Sequence, residues 1–327
     1  MRVRRSDPGR PGYARHRRGR GFSYHDRAGR TITDRAELAR LRDLVIPPAW
    51  RDVWICPDPC GHIQATGVDA AGRKQYLYHS QWRAKRDEAK FDHVLTVAAR
   101  LPRLRRRVAA DLDGRGLSRD RVLATVARLL DLGLFRVGGD EYAGGDEPTY
   151  GVATLRPEHA ICDRAGVTFE YPAKGGTERV QTITDRPVCA VLRALRRQRD
   201  GADRLFAYWT GRSWRDVRSD EVNEYLRESS GGEMTAKDFR TWHGTVLAAV
   251  ELAGEGPHAS ESRQKRVIAR TMREVAELLG NTPTVARTSY VDPRVLDLYR
   301  DGAVARLGQR ASREAAERAV LDLLRSA

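Results

Sequence analysis

The sequence predicts an α+β protein: a small N-terminal antiparallel β-sheet domain, then a mainly α-helical domain with a small inserted three-stranded sheet. Three observations predict this. Residues 22–84 alternate apolar and polar side chains between turn residues. Residues 85–302 carry mostly apolar stripes at helical spacing. Within them, residues 150–184 return to a period of two.

The length of 327 residues fits two domains. With 40% hydrophobic and 31% charged residues, the chain can bury a core. No run approaches the ~20 apolar residues of a membrane span, and none resembles the core of a signal peptide. A net charge of +15 points to a polyanionic partner, nucleic acid before an anionic membrane. Of the 59 basic residues, six are lysines and 53 are arginines. Arginine is the planar, permanently charged phosphate clamp, so each retained lysine asks what arginine could not do there. Cys56, Cys60, Cys162 and Cys189 suit a reducing compartment. Cys56 and Cys60 lie near His62, but no second pair completes zinc spacing, so no metal is expected.

Residues 1–21 hold eight arginines against one aspartate and almost nothing apolar, which predicts a disordered basic arm. In the β domain of residues 22–84, Val53–Cys56 is a short apolar run ended by prolines. The alternating segments 62–67 and 74–78 flank the turn Asp69-Ala70-Ala71-Gly72 and predict a hairpin. Its second strand follows Arg73 and carries Lys74, Gln75, Tyr76 and Tyr78. Basic groups there can position phosphates and Gln75 can read a base edge, although strand aromatics ordinarily pack in a core.

The helical domain of residues 85–302 opens clearly at 121–134, where Val122, Leu123, Val126, Leu129, Leu130 and Leu134 form a stripe. Phe135-Arg136-Val137-Gly138-Gly139 ends it. Residues 151–155, 160–162 and 167–171 read as three short strands, and Lys174-Gly175-Gly176-Thr177 as a tight turn before 179–183. Helices are expected at 187–199, 220–228, 236–252 and 262–279. The third opens on a capping-box-like Thr235-Ala236-Lys237-Asp238, and the fourth ends at Gly280. Thr282-Pro283 starts another helix, and 303–327 reads as a charged C-terminal helix.

Arg136, Lys174, Arg240 and the segment 279–290 stand out as separated pieces of one site. No phosphate-loop, HExxH or GxSxG signature is present. The ordered pieces Phe-Arg-Val-Gly (135–138), Gly-Val-Ala-Thr-Leu (151–155), Lys174 in its turn, Lys-Asp-Phe-Arg-Thr-Trp (237–242) and Leu-Gly-Asn-Thr-Pro to Ser-Tyr (279–290) resemble the poxvirus-like and bacterial type IB DNA topoisomerases. Ile46-Pro47-Pro48-Ala49-Trp50 and Gly72–Tyr78 resemble that family's N-terminal DNA-clamp domain. The likeness spans about residues 30–300. It implies the tyrosine recombinase/type IB topoisomerase fold and a C-shaped clamp around duplex DNA.

The resemblance implies Tyr290 as nucleophile, with Arg136, Lys174, Arg240 and Asn281 as the other catalytic residues. Tyr290 would form a 3′-phosphotyrosyl intermediate, and resealing would need no ATP. The two arginines would meet the charge on the nonbridging oxygens. Lys174, the sole lysine between Lys90 and Lys237, would protonate the departing 5′-oxygen, which arginine does poorly. Asn281 stands where many relatives have His, which implies hydrogen bonding there rather than proton transfer, as in the bacterial branch. Thr177 stands where relatives commonly carry a second lysine. Gln75, Tyr76 and Tyr78 match positions that touch the major groove, and Tyr142 matches a phosphate contact. The implied partner is duplex DNA, with relaxation of supercoils of both signs, no cofactor, no metal, no membrane, monomeric action, and a cytoplasmic, nucleoid-associated location.

Each residue also has an ordinary reading. Arg136 could cap a helix C-terminus, Arg240 could be an ion-paired helix residue, Lys174 a solvated turn cation, and Tyr290 a core tyrosine. Tyr299 is the rival nucleophile, but it lies in an apolar stripe. A tyrosine site-specific recombinase shares much of the same logic; it usually has His three residues before the second arginine, where this chain has Lys237. A noncatalytic DNA-binding protein would explain the charge and hairpin but not Lys174 and Tyr290.

Overall fold

The computed structural model describes residues 2–144, 147–198 and 202–326. The chain divides into two compact units, meeting in sequence between Asp92 and His93.

The first unit is built on a five-stranded antiparallel sheet, ordered β2-β1-β3-β4-β5. Its strands are β1 (Tyr13–Arg18), β2 (Gly21–His25), β3 (Arg51–Ile55), β4 (Ile63–Val68) and β5 (Lys74–Tyr78), with α1 (Arg35–Asp43) between β2 and β3. Leu41, Val53, Ile55 and Ala65 form its core. The expected hairpin is β4–β5, with Val68 opposite Lys74. Asp69 fastens its turn, accepting from the backbone N–H groups of Ala71 and Arg73 at 3.0 and 2.9 Å.

The arm expected to be disordered is a correction. Residues 13–18 are β1, paired with both β2 and β3. Arg15 explains how so basic a segment can fold. Its buried guanidinium donates to the carbonyls of Ile46, Pro47 and Trp50 at 2.8, 2.9 and 3.0 Å and lies over the Phe22 ring. Three satisfied carbonyls and an aromatic face compensate the desolvation that makes buried charge costly. Net charge per segment does not register such a residue.

The long helix α2 (Ser80–Leu112) runs through the boundary into the second unit. There α3 (Arg119–Gly133) buries Val122, Leu123, Val126, Leu129 and Leu130, the predicted stripe. A three-stranded antiparallel sheet follows, ordered β6-β7-β8: β6 (Ala160–Cys162), β7 (Val167–Ala173) and β8 (Thr177–Ile183). The remaining elements are α4 (Arg186–Gln198), β9 (Ala207–Trp209), β10 (Trp214–Asp216), α5 (Ser219–Ser230), α6 (Ala236–Glu255), α7 (Glu261–Leu279), α8 (Pro283–Ser289), α9 (Pro293–Arg300) and α10 (Arg313–Arg325).

Three expectations need correcting here. Residues 151–155 are not a strand; Val152–Thr154 is a 3-10 turn. A Cβ on Gly151 would come within 2.4 Å of the Gly138 nitrogen, so this backbone packs directly on the 136–138 segment rather than joining the sheet. The third strand is β8 instead. The C-terminal helix spans only Arg313–Arg325, starting where the Ser312 hydroxyl caps Ala315. Gly302, with φ of 84°, breaks the chain after α9. The small hairpin β9–β10 has no counterpart in the sequence reading; each strand has only three residues, too short to show a period.

Candidate active site

The C-terminal end of α7 and the start of α8 form the floor of the site. Gly280 takes the left-handed conformation at φ 59°, and Thr282 caps α8 by accepting from the Val285 N–H at 3.3 Å. The helix end leaves carbonyl oxygens for partners from elsewhere.

Arg136 comes from the loop after α3. That loop is held by two backbone bonds, Val152 N–H to Arg136 O at 2.8 Å and Ala153 N–H to Val137 O at 2.7 Å. Gly138 has φ of 84°, and its missing side chain admits Gly151. Arg136 donates through Nη2 to Gly280 O at 2.9 Å and to Asn281 Oδ1 at 2.7 Å. Arg136 does cap a helix C-terminus, and in doing so it is placed beside Asn281.

Arg240 lies one turn into α6 and is 3% exposed. The helix start beneath it is the expected capping box: Asp238 accepts from the Thr235 N–H at 2.8 Å. Arg240 donates to Leu134 O and, at 2.7 Å, to Leu279 O. Its Nε is buried without a hydrogen-bond partner among the described residues. Burial and the neighbouring Arg136 charge pull its pKa down to about 10. Arg240 has no carboxylate partner among its described contacts, so the ordinary ion-pair reading does not hold.

Tyr290 follows α8 and is half-buried. Its ring lies under Arg240, with the guanidinium carbon 5.0 Å from the ring centroid. Its backbone docks on α6: Thr245 Oγ1 donates to Tyr290 O at 3.3 Å, and a Cβ on Gly244 would fall 2.8 Å from that oxygen. Burial works to raise the phenol pKa. Arg240, through charge and polar contact, then Arg136 and Lys237, outweighs burial and holds it below 10. Tyr299 differs in every respect: it is 1% exposed and donates to Gly256 O at 3.1 Å within the core.

Lys174 occupies the exposed β7–β8 turn, followed by Gly175 and Gly176 at φ 90° and 70°. It lines a cleft of about 320 Å³ together with Arg136, Tyr142 and Tyr150. Tyr142 is 59% exposed at the end of a 3-10 turn. Arg136 thus contacts Asn281 and Arg240 contacts Tyr290, the two arginines donate to the adjacent carbonyls of Gly280 and Leu279, and Lys174 and Tyr142 share a cleft with Arg136.

Arg73, Lys74, Gln75, Tyr76 and Tyr78 form a separate surface on the first unit. Asp69 pairs with Arg73 at 2.9 Å and accepts from Gln75 Nε2 at 2.9 Å, so the two side chains are held by one carboxylate. Tyr76 and Tyr78 stack at 6.2 Å, and Lys74 lies 5.8 Å from the Tyr76 ring centre. Tyr76 remains 41% exposed, which favours the surface reading over core packing.

The sequence reading missed two neighbours of this site. Lys237 acts on the Tyr290 phenol from one turn before Arg240, a helical spacing that could have flagged it. Arg179 on β8 donates to Leu278 O at 2.6 Å; as one arginine among 53, it carried no signal.

Residues 79–309 match the family described as "Eukaryotic DNA topoisomerase I, catalytic core", and residues 21–69 match "Bacterial DNA topoisomerase IB, N-terminal domain". The chain belongs to the type IB DNA topoisomerase family. It is therefore an enzyme of the isomerase class. A DNA topoisomerase 1B of Acanthamoeba polyphaga mimivirus is 28% identical over 298 residues, covering 89% of this chain and 88% of the viral one. The topoisomerase match spans every residue of the second-unit site, from Arg136 to Tyr290. Among the described residues no helix is long and apolar enough to cross a membrane, and no group of three His, Cys, Asp or Glu is arranged to hold a metal ion.

Proposed function

We propose that this topoisomerase relaxes supercoiled duplex DNA of both signs, through transient cleavage of one strand by Tyr290. The observation that carries the reading is the pairing of Tyr290 with Arg240: a half-buried phenol under a buried guanidinium whose Nε has no hydrogen-bond partner among the described residues. An orphaned buried donor costs about 1–3 kcal/mol, so its survival beside a lowered phenol suits a site that awaits an anionic oxygen.

In the forward step the Tyr290 oxygen gives its proton to solvent water and bonds to the scissile phosphorus. The P–O5′ bond breaks, and its electron pair leaves on O5′, which takes a proton from the Lys174 ammonium. The products are a 3′-phosphotyrosyl bond and a free 5′-hydroxyl, and the duplex beyond the nick can rotate about the intact strand. Religation reverses each transfer, so the phosphodiester energy is kept in the covalent link and no ATP is consumed. Arg240 Nε and the Arg136 nitrogens not used on Gly280 and Asn281 supply donors for the nonbridging oxygens. Asn281 accepts from Arg136 through Oδ1, and its Nδ2, which donates to Leu279 O at 3.4 Å, keeps its second N–H as an additional neutral donor. The stacked Tyr76–Tyr78 pair, with Arg73, Lys74 and Gln75, is proposed as a duplex-binding surface, and Tyr142 as a phosphate contact.

Tyr290→Phe removes one hydroxyl. Plasmid relaxation in EDTA should be abolished while duplex binding persists. Relaxation that survives the substitution would remove Tyr290 as nucleophile, and exchange of strands between specific sites would favour a recombinase.

A further inference from the structure

The end of α7 collects three arginines from three different elements. Arg179 on β8 donates to Glu277 O at 3.4 Å and to Leu278 O at 2.6 Å. Arg240 on α6 donates to Leu279 O, and Arg136 from the post-α3 loop donates to Gly280 O. Four consecutive carbonyls are thus taken, in sequence order, by three like-charged side chains. The negative end of the helix offsets the repulsion that would otherwise spread them. A Cβ on Gly280 would lie 3.3 Å from Arg179 Nη1 and 3.9 Å from Arg136 Nη1, so the two guanidiniums flank the same residue.

Two of these arginines take part in the chemistry above; Arg179 does not. Its place in the hairpin suggests its task. It lies opposite Tyr171 in the β7–β8 ladder, and β8 is the outer strand of its sheet. Beyond it the chain runs through exposed Glu178 and Thr177 to the exposed Lys174 turn, only about 7 Å of strand. Gln181, farther from the turn, donates to Gly133 O at the end of α3. Two side chains therefore fasten β8 to the helical body, and Arg179 is the one nearer the turn.

We propose that Arg179 is a positioning residue: it clamps the β7–β8 hairpin to the end of α7 and so holds Lys174 in register with Arg136 and Arg240. The inference rests on the reading of Lys174 as proton donor to the departing O5′. A displaced turn leaves the nucleophile and the oxyanion donors intact and takes away only the proton.

The test is single-turnover cleavage by the full chain. The substrates are an ordinary duplex and one whose scissile 5′-bridging oxygen is sulfur, which leaves as a thiolate without a proton. Arg179→Ala should cleave the ordinary duplex about 100-fold slower, the scale of a roughly 1 Å misplacement. It should cleave the sulfur duplex at nearly the wild-type rate, with unchanged duplex affinity. Arg179→Lys retains charge without the fork and should fall between, also with rescue. A wild-type rate on the ordinary duplex overturns the proposal. So does rescue of Lys174→Ala without rescue of either Arg179 variant, which would make Arg179 a phosphate contact or a fold residue. Failure of sulfur to rescue Lys174→Ala itself would instead strike the proton-donor reading, and the proposal with it.

Discussion

At the scale of single residues, the site is a balance between burial and positive charge. Burial alone would push the Tyr290 phenol above 10; Arg240, Arg136 and Lys237 bring it below. Arg240→Gln removes the largest of these opposing charges and leaves the burial. The Tyr290 phenol should then titrate higher than in the unaltered protein, read as the ultraviolet difference between each protein and its Tyr290→Phe counterpart. A phenol that titrates no higher in Arg240→Gln would show that Arg240 is not what lowers it. Much at this scale was legible in the sequence. Arg136, Arg240, Asn281 and Tyr290 lie in recognisable short motifs, and the structure pairs Arg136 with Asn281 and Arg240 with Tyr290 at the end of α7. Arg179 was not legible, because its partner is a set of backbone carbonyls about 100 residues away. A donor to backbone leaves no side-chain pattern to read.

At the scale of elements, α6 carries both Arg240 and the seat of Tyr290, the proposed nucleophile. Arg240 and Gly244 are four residues apart, on one face of the helix. Gly244 is there for close approach: Tyr290 O and Cβ would lie 2.8 and 3.2 Å from an added Cβ. Alanine is the better helix former by about 1 kcal/mol, so Gly244→Ala should not weaken α6 itself. It should displace Tyr290 and slow strand cleavage about 10- to 100-fold with duplex binding retained. An unchanged cleavage rate would mean that the Tyr290 segment does not depend on this seat. The helices were the readable elements, since α3, α6 and α7 combine apolar stripes with caps or glycine stops. Residues 151–155 were misread because a buried 3-10 turn and a buried strand both appear as a short apolar run.

At the scale of the whole molecule, the N-terminal segment and the C-terminal helix are integrated more fully than their composition suggests. Arg15 ties β1 into the first sheet. In the second unit, α10 is joined to α2, α3 and α6 through a buried ionic cluster. Asp131 accepts from Arg105 at 2.9 Å and from Arg313 at 2.6 Å, Arg105 pairs with Glu317 at 2.7 Å, and His243 lies 3.2 Å from Asp131. Burial holds His243 below its ordinary 6.5 despite the pull of Asp131. Asp131 is held below its ordinary 3.8: burial opposes this, and His243, Arg105 and Arg313 prevail. Unfolding lets His243 take up a proton near pH 6.5 that the native state refuses. Its contribution is therefore present above that pH and lost as the pH falls below it. Melting temperatures followed from about pH 8 down to about pH 5 should fall, and His243→Gln should flatten that fall. Equal slopes for the two proteins would exclude His243 as the titrating group. This cluster was invisible in the sequence because its members span residues 105–317.

In the proposed reaction one phenolic oxygen carries the cleaved strand. Duplex trapped on the protein by denaturant, digested with protease and mapped by mass, identifies the residue directly. A 3′-phosphoryl adduct should appear on the peptide containing Tyr290 and be absent from Tyr290→Phe. An adduct on Tyr299, or one that still forms in Tyr290→Phe, would contradict it.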